Sequence, residues 1–173
     1  GRGNFNNAVT NFRVLLRNSE NKKEQAQAWI GLMDTYYNLK SYDSTLYYAR
    51  EVVNAGNVVP GGLGKAQLYL GKVPYEKGDL NKASEEFKKL ASTSKDEYGA
   101  EANYMVATIL FKNKKYKEAE TAIIDMSKTF EGFDFWRVRS FILLADVYMG
   151  LKEVGQAKAT LTSIIENSDD QEA

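Results

Sequence analysis

Five times along the chain a short corner recurs at an almost fixed interval. The copies are Gly3-Asn4-Phe5-Asn6-Asn7-Ala8, Lys40-Ser41-Tyr42-Asp43-Ser44-Thr45, Gly78-Asp79-Leu80-Asn81-Lys82-Ala83, Lys114-Lys115-Tyr116-Lys117-Glu118-Ala119 and Lys152-Glu153-Val154-Gly155-Gln156-Ala157. The small residues that close them stand at 8, 45, 83, 119 and 157, in steps of 36 to 38. A steady period of that size signals a stacked repeat architecture, because units this short cannot bury a core alone and must pack on their neighbours. Between corners the apolar residues recur at helical spacing, as in Phe5, Ala8, Val9, Phe12, Leu15 and Leu16. Each corner therefore reads as helix, tight turn, antiparallel helix.

The corners are not chemically alike. Gly3 and Gly78 suit a helix end in the left-handed conformation, which glycine adopts without a Cβ penalty. Lys40, Lys114 and Lys152 stand at the same place in the other three. Lysine suits the negative end of the helix dipole but tolerates positive φ poorly, so those corners are expected to differ in geometry.

Trp29, Leu32 and Tyr36 in one unit, Leu70-Gly71 in the next, and Phe141, Leu144, Ala145 and Tyr148 in the last share one first-helix spacing. Ala8 with Phe12, and Ala83 with Phe87, share a second-helix spacing. At these positions the chain resembles the tetratricopeptide repeat family, and the resemblance spans nearly the whole chain. It departs from the family in its longer period, in Met33 and Thr45 at the small pair of one unit, and in lacking a proline that closes each unit. The resemblance implies an all-α, right-handed superhelix of antiparallel helix pairs, a solenoid, over residues 1–173 as one domain.

Within that frame residues 3–17 form half a unit, and complete units fall at about 25–55, 65–91, 98–127 and 135–166, with a polar tail at 168–173. The link from Gly56 to Gly64 is the densest in helix breakers and the best place for a flexible loop. Pro74 removes a donor inside the first helix of the second complete unit and predicts a kink near Lys72-Val73. Phe130, Gly132, Phe133, Phe135 and Trp136 crowd one link, which either folds onto neighbouring helices or forms an exposed binding spot. Asp134 is a candidate helix cap just before Trp136. The chain opens inside a unit without its first helix and so reads as a piece of a longer protein. The face of Phe5, Val9 and Phe12 would then lack a neighbour, so a homodimer induced by truncation, or shielding by the chain's own links, is expected there.

Composition closes off several kinds of chemistry. With no cysteine and no histidine, the Ser-His-Asp and Cys-His nucleophile systems and the usual zinc and iron ligand sets are unavailable. A glycosidase would need two carboxylates in one cleft, and Asp34 and Asp146 lie on first helices three units apart. No catalytic residue, metal site or cofactor is therefore assigned. Equal numbers of acidic and basic side chains, 23 of each, argue against binding driven by phosphate neutralisation, and the run Lys112, Lys114, Lys115, Lys117 reads as a solvated turn. No apolar run approaches the ~20 residues that span a bilayer. The compartment is left open between a bacterial periplasm or cell envelope, which the unit lengths resemble, and the cytoplasm.

In the resembled family the concave face is lined by first helices. Carried over residue by residue, that face comprises Ile30, Asp34 and Tyr37; Leu68, Lys72 and Tyr75; Tyr104, Thr108 and Phe111; and Ile142, Asp146 and Met149. The lysine and asparagine clamp with which some members grip a terminal carboxylate has no match, since Ile30, Asp34, Leu68 and Lys72 occupy those places. An apolar floor with a few polar posts suits an amphipathic helix or an extended apolar peptide. The expected function is a non-catalytic scaffold that binds a protein segment. The alternative is a glycan-binding module that stacks sugars on tyrosine and tryptophan, with Asp34, Asn38, Lys72, Thr108 and Asp146 as its hydrogen-bonding complement.

Overall fold

The computed structural model describes residues 2–169, and within them the side chains of 4–166. Most of the tail expected at 168–173 lies outside the described residues. These are all-helical, with nine helices and no strand: α1 (Arg2–Asn18), α2 (Lys22–Asn38), α3 (Tyr42–Ala55), α4 (Gly62–Glu76), α5 (Leu80–Thr93), α6 (Glu97–Lys112), α7 (Tyr116–Thr129), α8 (Asp134–Gly150) and α9 (Val154–Asp169). The chain falls into two compact units, Gly1–Glu86 and Phe87–Ala173.

In the first unit α1 packs on α2, α2 on α3 and α3 on α4, and α2 also touches α4. The second unit repeats the scheme, with α6 on α7, α7 on α8, α8 on α9, and α6 touching α8. Contact between alternate helices brings first helices side by side, which is how helix pairs stack. Small residues allow this approach. Met33, Ala49, Val52 and Ala66 form one core with Trp29, Tyr48 and Leu70 packed on it. Ala107, Ala119, Ile123, Leu143, Leu144 and Val147 form another. Thr45, which replaces the usual alanine, is fully buried, and its hydroxyl donates to the Ser41 carbonyl at 3.1 Å, so no polar group is stranded.

The copy at Gly3–Ala8 lies within α1 and is not a helix end as expected, but the other four corners are more uniform than the sequence suggests. Lys40, Lys114 and Lys152 adopt φ of 58°, 58° and 64°, alongside 82° at Gly78. At each, the residue itself and its successor donate to the helix just ended. The pairs are Lys40 to Tyr37 and Ser41 to Tyr36, Gly78 to Tyr75 and Asp79 to Pro74, Lys114 to Phe111 and Lys115 to Leu110, Lys152 to Met149 and Glu153 to Tyr148. This is the Schellman pattern of one 5→2 and one 6→1 bond. The expectation that lysine corners would differ is therefore corrected. Two hydrogen bonds that satisfy otherwise orphaned carbonyls outweigh a left-handed penalty of order 1 kcal/mol.

Helix starts are capped by side chains where the sequence supplies them. Asn21 accepts from Glu24 N–H at 3.0 Å and donates its side-chain amide to the Glu24 carboxylate at 2.8 Å, which also accepts from Glu20 N–H at 2.9 Å, a variant of the capping box shifted by one residue. Asp96 and Asp79 accept from Gly99 and Lys82 N–H. Asp134 does not cap α8 as expected. It is the first helical residue, Phe133 is the cap position, and Asp134 pairs with Arg137 at 2.9 Å instead. Pro74 is buried, and α4 runs on through it to Glu76. On α1, Val9 is buried and the Phe12 ring lies directly over Gly31 of α2. The face expected to lie open thus already has α2 as its neighbour, and the exposed apolar side chains of α1 are Val14 and Leu15.

Candidate partner-binding faces

In the first unit the residues assigned to the face lie on α2 and α4. Tyr37 packs edge-tilted on Tyr69, with ring centres 4.7 Å apart, and on Tyr42 at 6.1 Å. Tyr37, Asn38, Lys40, Tyr42 and Glu76 line an open recess. The Lys72 ammonium lies 5.8 Å from the centre of the Tyr69 ring, a cation–π distance. Asp34 and Lys65 form an ion pair through Oδ2, while Asp34 Oδ1 is buried without a hydrogen-bond partner among the described residues. Ile30 is half-buried against the core and covers Gly62. Tyr75 is likewise half-buried. Leu68 is different: at 3% exposure it belongs to the interior. Packing across α4 takes this position inward, so Leu68 is corrected from a face residue to a core residue.

In the second unit the residues lie on α6 and α8. Tyr104 and Phe111 are half-buried against the core. Thr108 donates its hydroxyl to the Tyr104 carbonyl at 2.9 Å, which turns it toward its own helix. On α8 the side chains stand clear, with Phe135 60%, Ile142 48% and Met149 55% exposed, and Asp146 also exposed. The crowded link before α8 divides. Phe130 is buried with Ala100 and Met126, Phe133 and Trp136 pack against that cluster, and Phe135 remains outside. Ser140 is buried behind them, its hydroxyl donating to Met126 Sδ at 3.0 Å. Arg139 lies against three rings at once, 5.3 Å from Tyr104, 5.4 Å from Phe135 and 5.7 Å from Trp136. The Trp136 indole N–H is buried with no acceptor among the described residues.

Titration is perturbed on α3 and on α8. Burial pushes the Tyr48 phenol up, with the neighbouring Tyr36 adding to it and Arg13 opposing. Burial also pushes Tyr148 up, reinforced by Glu120. A hydrogen bond from Lys77 holds the Asp43 carboxyl below its ordinary value. Tyr148 bonds the Glu120 carboxylate with Glu153 nearby, and Tyr48 neighbours the Tyr36 phenol, so each of these shifts has a partner within the fold. Among the described residues no group of three or more Asp and Glu side chains could hold a metal ion, and no helix is long and apolar enough to cross a membrane.

The polar complement on these faces is largely turned inward. Asn38 donates its side-chain amide to the Asp34 carbonyl at 2.8 Å, Asp34 pairs with Lys65, and Thr108 bonds Tyr104. Sequence reasoning assigned no role to Lys65 or Arg139. Lys65 reaches Asp34 across a helix pair, 31 residues away in sequence, and no local spacing points to it. Arg139 carried a legible signal, since it stands seven residues before Asp146, but the face was read at three fixed positions per helix.

No sequence-family model and no curated relative matches the chain. Solved structures match its fold. MamA superposes with a TM-score of 0.73 at 15% identity, over 98% of this chain and 92% of its own. The apo form of RapI gives 0.80 at 19%, over 97% of this chain and 66% of its own. A putative kinesin light chain from Podosopora anserina, with nearly identical TPR-like repeats, gives 0.71 at 13%, over 99% and 90%. The fold is thus of the tetratricopeptide-like repeat kind.

Proposed function

From a fold of tetratricopeptide-like helix pairs, we propose that the chain is a non-catalytic scaffold that binds a protein segment on the faces of its first helices. The observation that carries this reading is the set of part-open rings and aliphatic side chains on the first helices of each unit, Tyr37 in the first and Phe111, Ile142 and Met149 in the second, beside polar groups already bonded within the chain. Exposed apolar stripes rimmed by polar residues mark contact surfaces. A sugar would need several convergent hydrogen-bonding side chains beside its stacking ring, and Asp34, Asn38 and Thr108 are committed elsewhere. A peptide or helix needs only a few. The binding set is Ile30, Asp34, Tyr37, Lys72, Tyr75, Tyr104, Phe111, Ile142, Asp146 and Met149. Nucleic acid is not a proposed partner, because a chain with 23 basic and 23 acidic residues has no net charge to release counterions.

The test is capture by the immobilised chain, compared with Tyr37→Ala/Phe111→Ala. Capture of a protein partner is expected to fall at least tenfold, the loss of one well-buried aromatic contact being worth that much, with the helical circular dichroism signal retained. Unchanged capture refutes the first-helix site. Capture that follows oligosaccharide and survives protease treatment of the captured material would establish the glycan reading instead.

A further inference from the structure

The exposed face of α8 carries a pattern that the other first helices lack. Phe135, Ile142 and Met149 are exposed and follow one another at intervals of seven, and Arg139 and Asp146 are exposed at the same interval. Seven residues are close to two helical turns, about 10.5 Å along the axis, so the three apolar side chains form a straight row with a charged row beside it. A seven-residue repeat is the spacing at which one helix packs along another at a shallow angle. An extended peptide, with its two-residue period, would not follow it.

The row is also symmetric. Phe135 and Met149 stand at equal distance on either side of Ile142. Arg139 and Asp146 are centred half a residue further on, an offset of order 1 Å that a long arginine side chain absorbs. The two charges have opposite sign. Turned end for end, the face therefore matches itself: Ile142 meets Ile142, Phe135 meets Met149, and Arg139 meets Asp146, twice. Self-complementarity of this kind is the requirement of an isologous two-fold interface.

The charges are poised for such a match. Among the described residues the Arg139 guanidinium has ring contacts only and accepts no ion-pair partner, and Asp146 has neither an ion pair nor a side-chain hydrogen bond. Arg139 is nevertheless held in position by Tyr104, Phe135 and Trp136, which reduces the freedom it would lose on pairing. A planar guanidinium held by aromatic rings keeps its N–H fork unspent, and a carboxylate is the acceptor that fits it.

We infer that α8 is the seam of an antiparallel homodimer in which a second copy of this chain lays its own α8 along the row Phe135–Ile142–Met149, with Arg139 paired to the partner's Asp146. This rests on reading the α8 face as an interaction surface, and names the occupant of that part of it. One helix per copy makes a small interface, so the dimer is of the weak, exchanging class and forms at micromolar concentration or above.

The chain has no cysteine, which makes the register directly testable. Ile142→Cys is expected to cross-link to itself under mild oxidation, because a residue on the two-fold axis brings its Cβ within disulfide range of its own copy. Phe135→Cys and Met149→Cys are each expected to form no disulfide-linked dimer alone and to cross-link when mixed. In sedimentation of the full chain, Ile142→Asp should weaken self-association at least tenfold. Arg139→Glu and Asp146→Arg should each weaken it severalfold by setting like charges opposite, and the double variant should return it to within about threefold of the parent. A parent chain that stays monomeric to about 0.5 mM, far above the range of a weak interface, overturns the inference. So does association lost in Phe5→Ser/Phe12→Ser but untouched by Ile142→Asp. If the parent is monomeric but protein capture still depends on Ile142, the second copy is wrong while the partner-binding reading stands. If neither association nor capture responds to Ile142→Asp, the α8 surface reading itself fails.

Discussion

Exchanging the residues at two corners isolates a single energy. The corner at Gly78 and the corner at Lys114 make the same two backbone bonds, at 3.0 and 2.9 Å in one and 2.8 and 2.9 Å in the other, with φ of 82° and 58°. A Cβ added at Gly78 meets nothing within 4 Å, so Gly78→Lys is sterically free and its cost is confined to the left-handed backbone. That cost is about 1 kcal/mol for a residue with a side chain. Glycine in turn gives the unfolded chain extra freedom, which returns about 0.4–1 kcal/mol of it. Lys114→Gly is therefore expected to stabilise by up to about 0.6 kcal/mol, and Gly78→Lys to destabilise by the same amount. The double exchange should fall within ~0.5 kcal/mol of the parent, the usual additivity error of independent sites. Urea unfolding followed by circular dichroism at 222 nm reads each difference as a shift in midpoint at constant slope. A Lys114→Gly variant that is less stable than the parent would refute the reasoning, because it would mean that the lysine side chain holds the corner through contacts of its own.

Other substitutions test separate parts of the fold. A Cβ at Gly31 would lie 2.3 Å from Phe12 Cε1, so Gly31→Ala should cost about 1–3 kcal/mol by overpacking, less ~1 kcal/mol of helix propensity, and should turn favourable in a Phe12→Ala background, as urea midpoints will show. Gly56 sits at φ 76°, ψ −155°, a region open almost only to glycine, so Gly56→Ala should destabilise by about 1–3 kcal/mol although nothing crowds it. Phe130→Ala should cost about 3–5 kcal/mol and Phe135→Ala far less, since one ring is interior and the other is mostly exposed, with an edge contact to Trp136 and a cation–π contact to Arg139. Tyr48 and Tyr148 have raised phenol pKa values in the fold, so their contribution is complete below the unfolded value near 10 and is lost as pH rises through the folded value. Thermal melts between pH 9 and 11.5 should fall more steeply for the parent than for Tyr48→Phe/Tyr148→Phe.

The helix-pair repeat was legible because a period of 36 to 38 residues and helical apolar spacing are local properties that stacking reinforces. What escaped depends on three-dimensional context. The left-handed lysines could not be foreseen from propensity, which disfavours them; the helix end selects them by offering two hydrogen bonds. Leu68 read as a groove residue because its position in the repeat is a groove position, yet it lies in the interior. The link at Phe130–Trp136 offered two readings from sequence and takes both, with Phe130 inside and Phe135 outside. Asp34 and Lys65 were visible as charges, but their pairing spans a helix pair. The row of sevens on α8 was present in the sequence all along, and exposure on a folded helix is what separates it from core periodicity.

The partner-binding role of the first helices is tested most directly by site-specific photo-cross-linking. A benzophenone side chain introduced at Tyr37, Phe111 or Met149 reports contacts on the first helices, and the same group at Tyr47, exposed on the second helix α3, serves as the opposite face. Cross-links to a protease-sensitive partner from 37, 111 and 149, with none from 47, are the expected result. Cross-links from 47 alone, or from none of the first-helix positions while the chain still captures its partner, would contradict it.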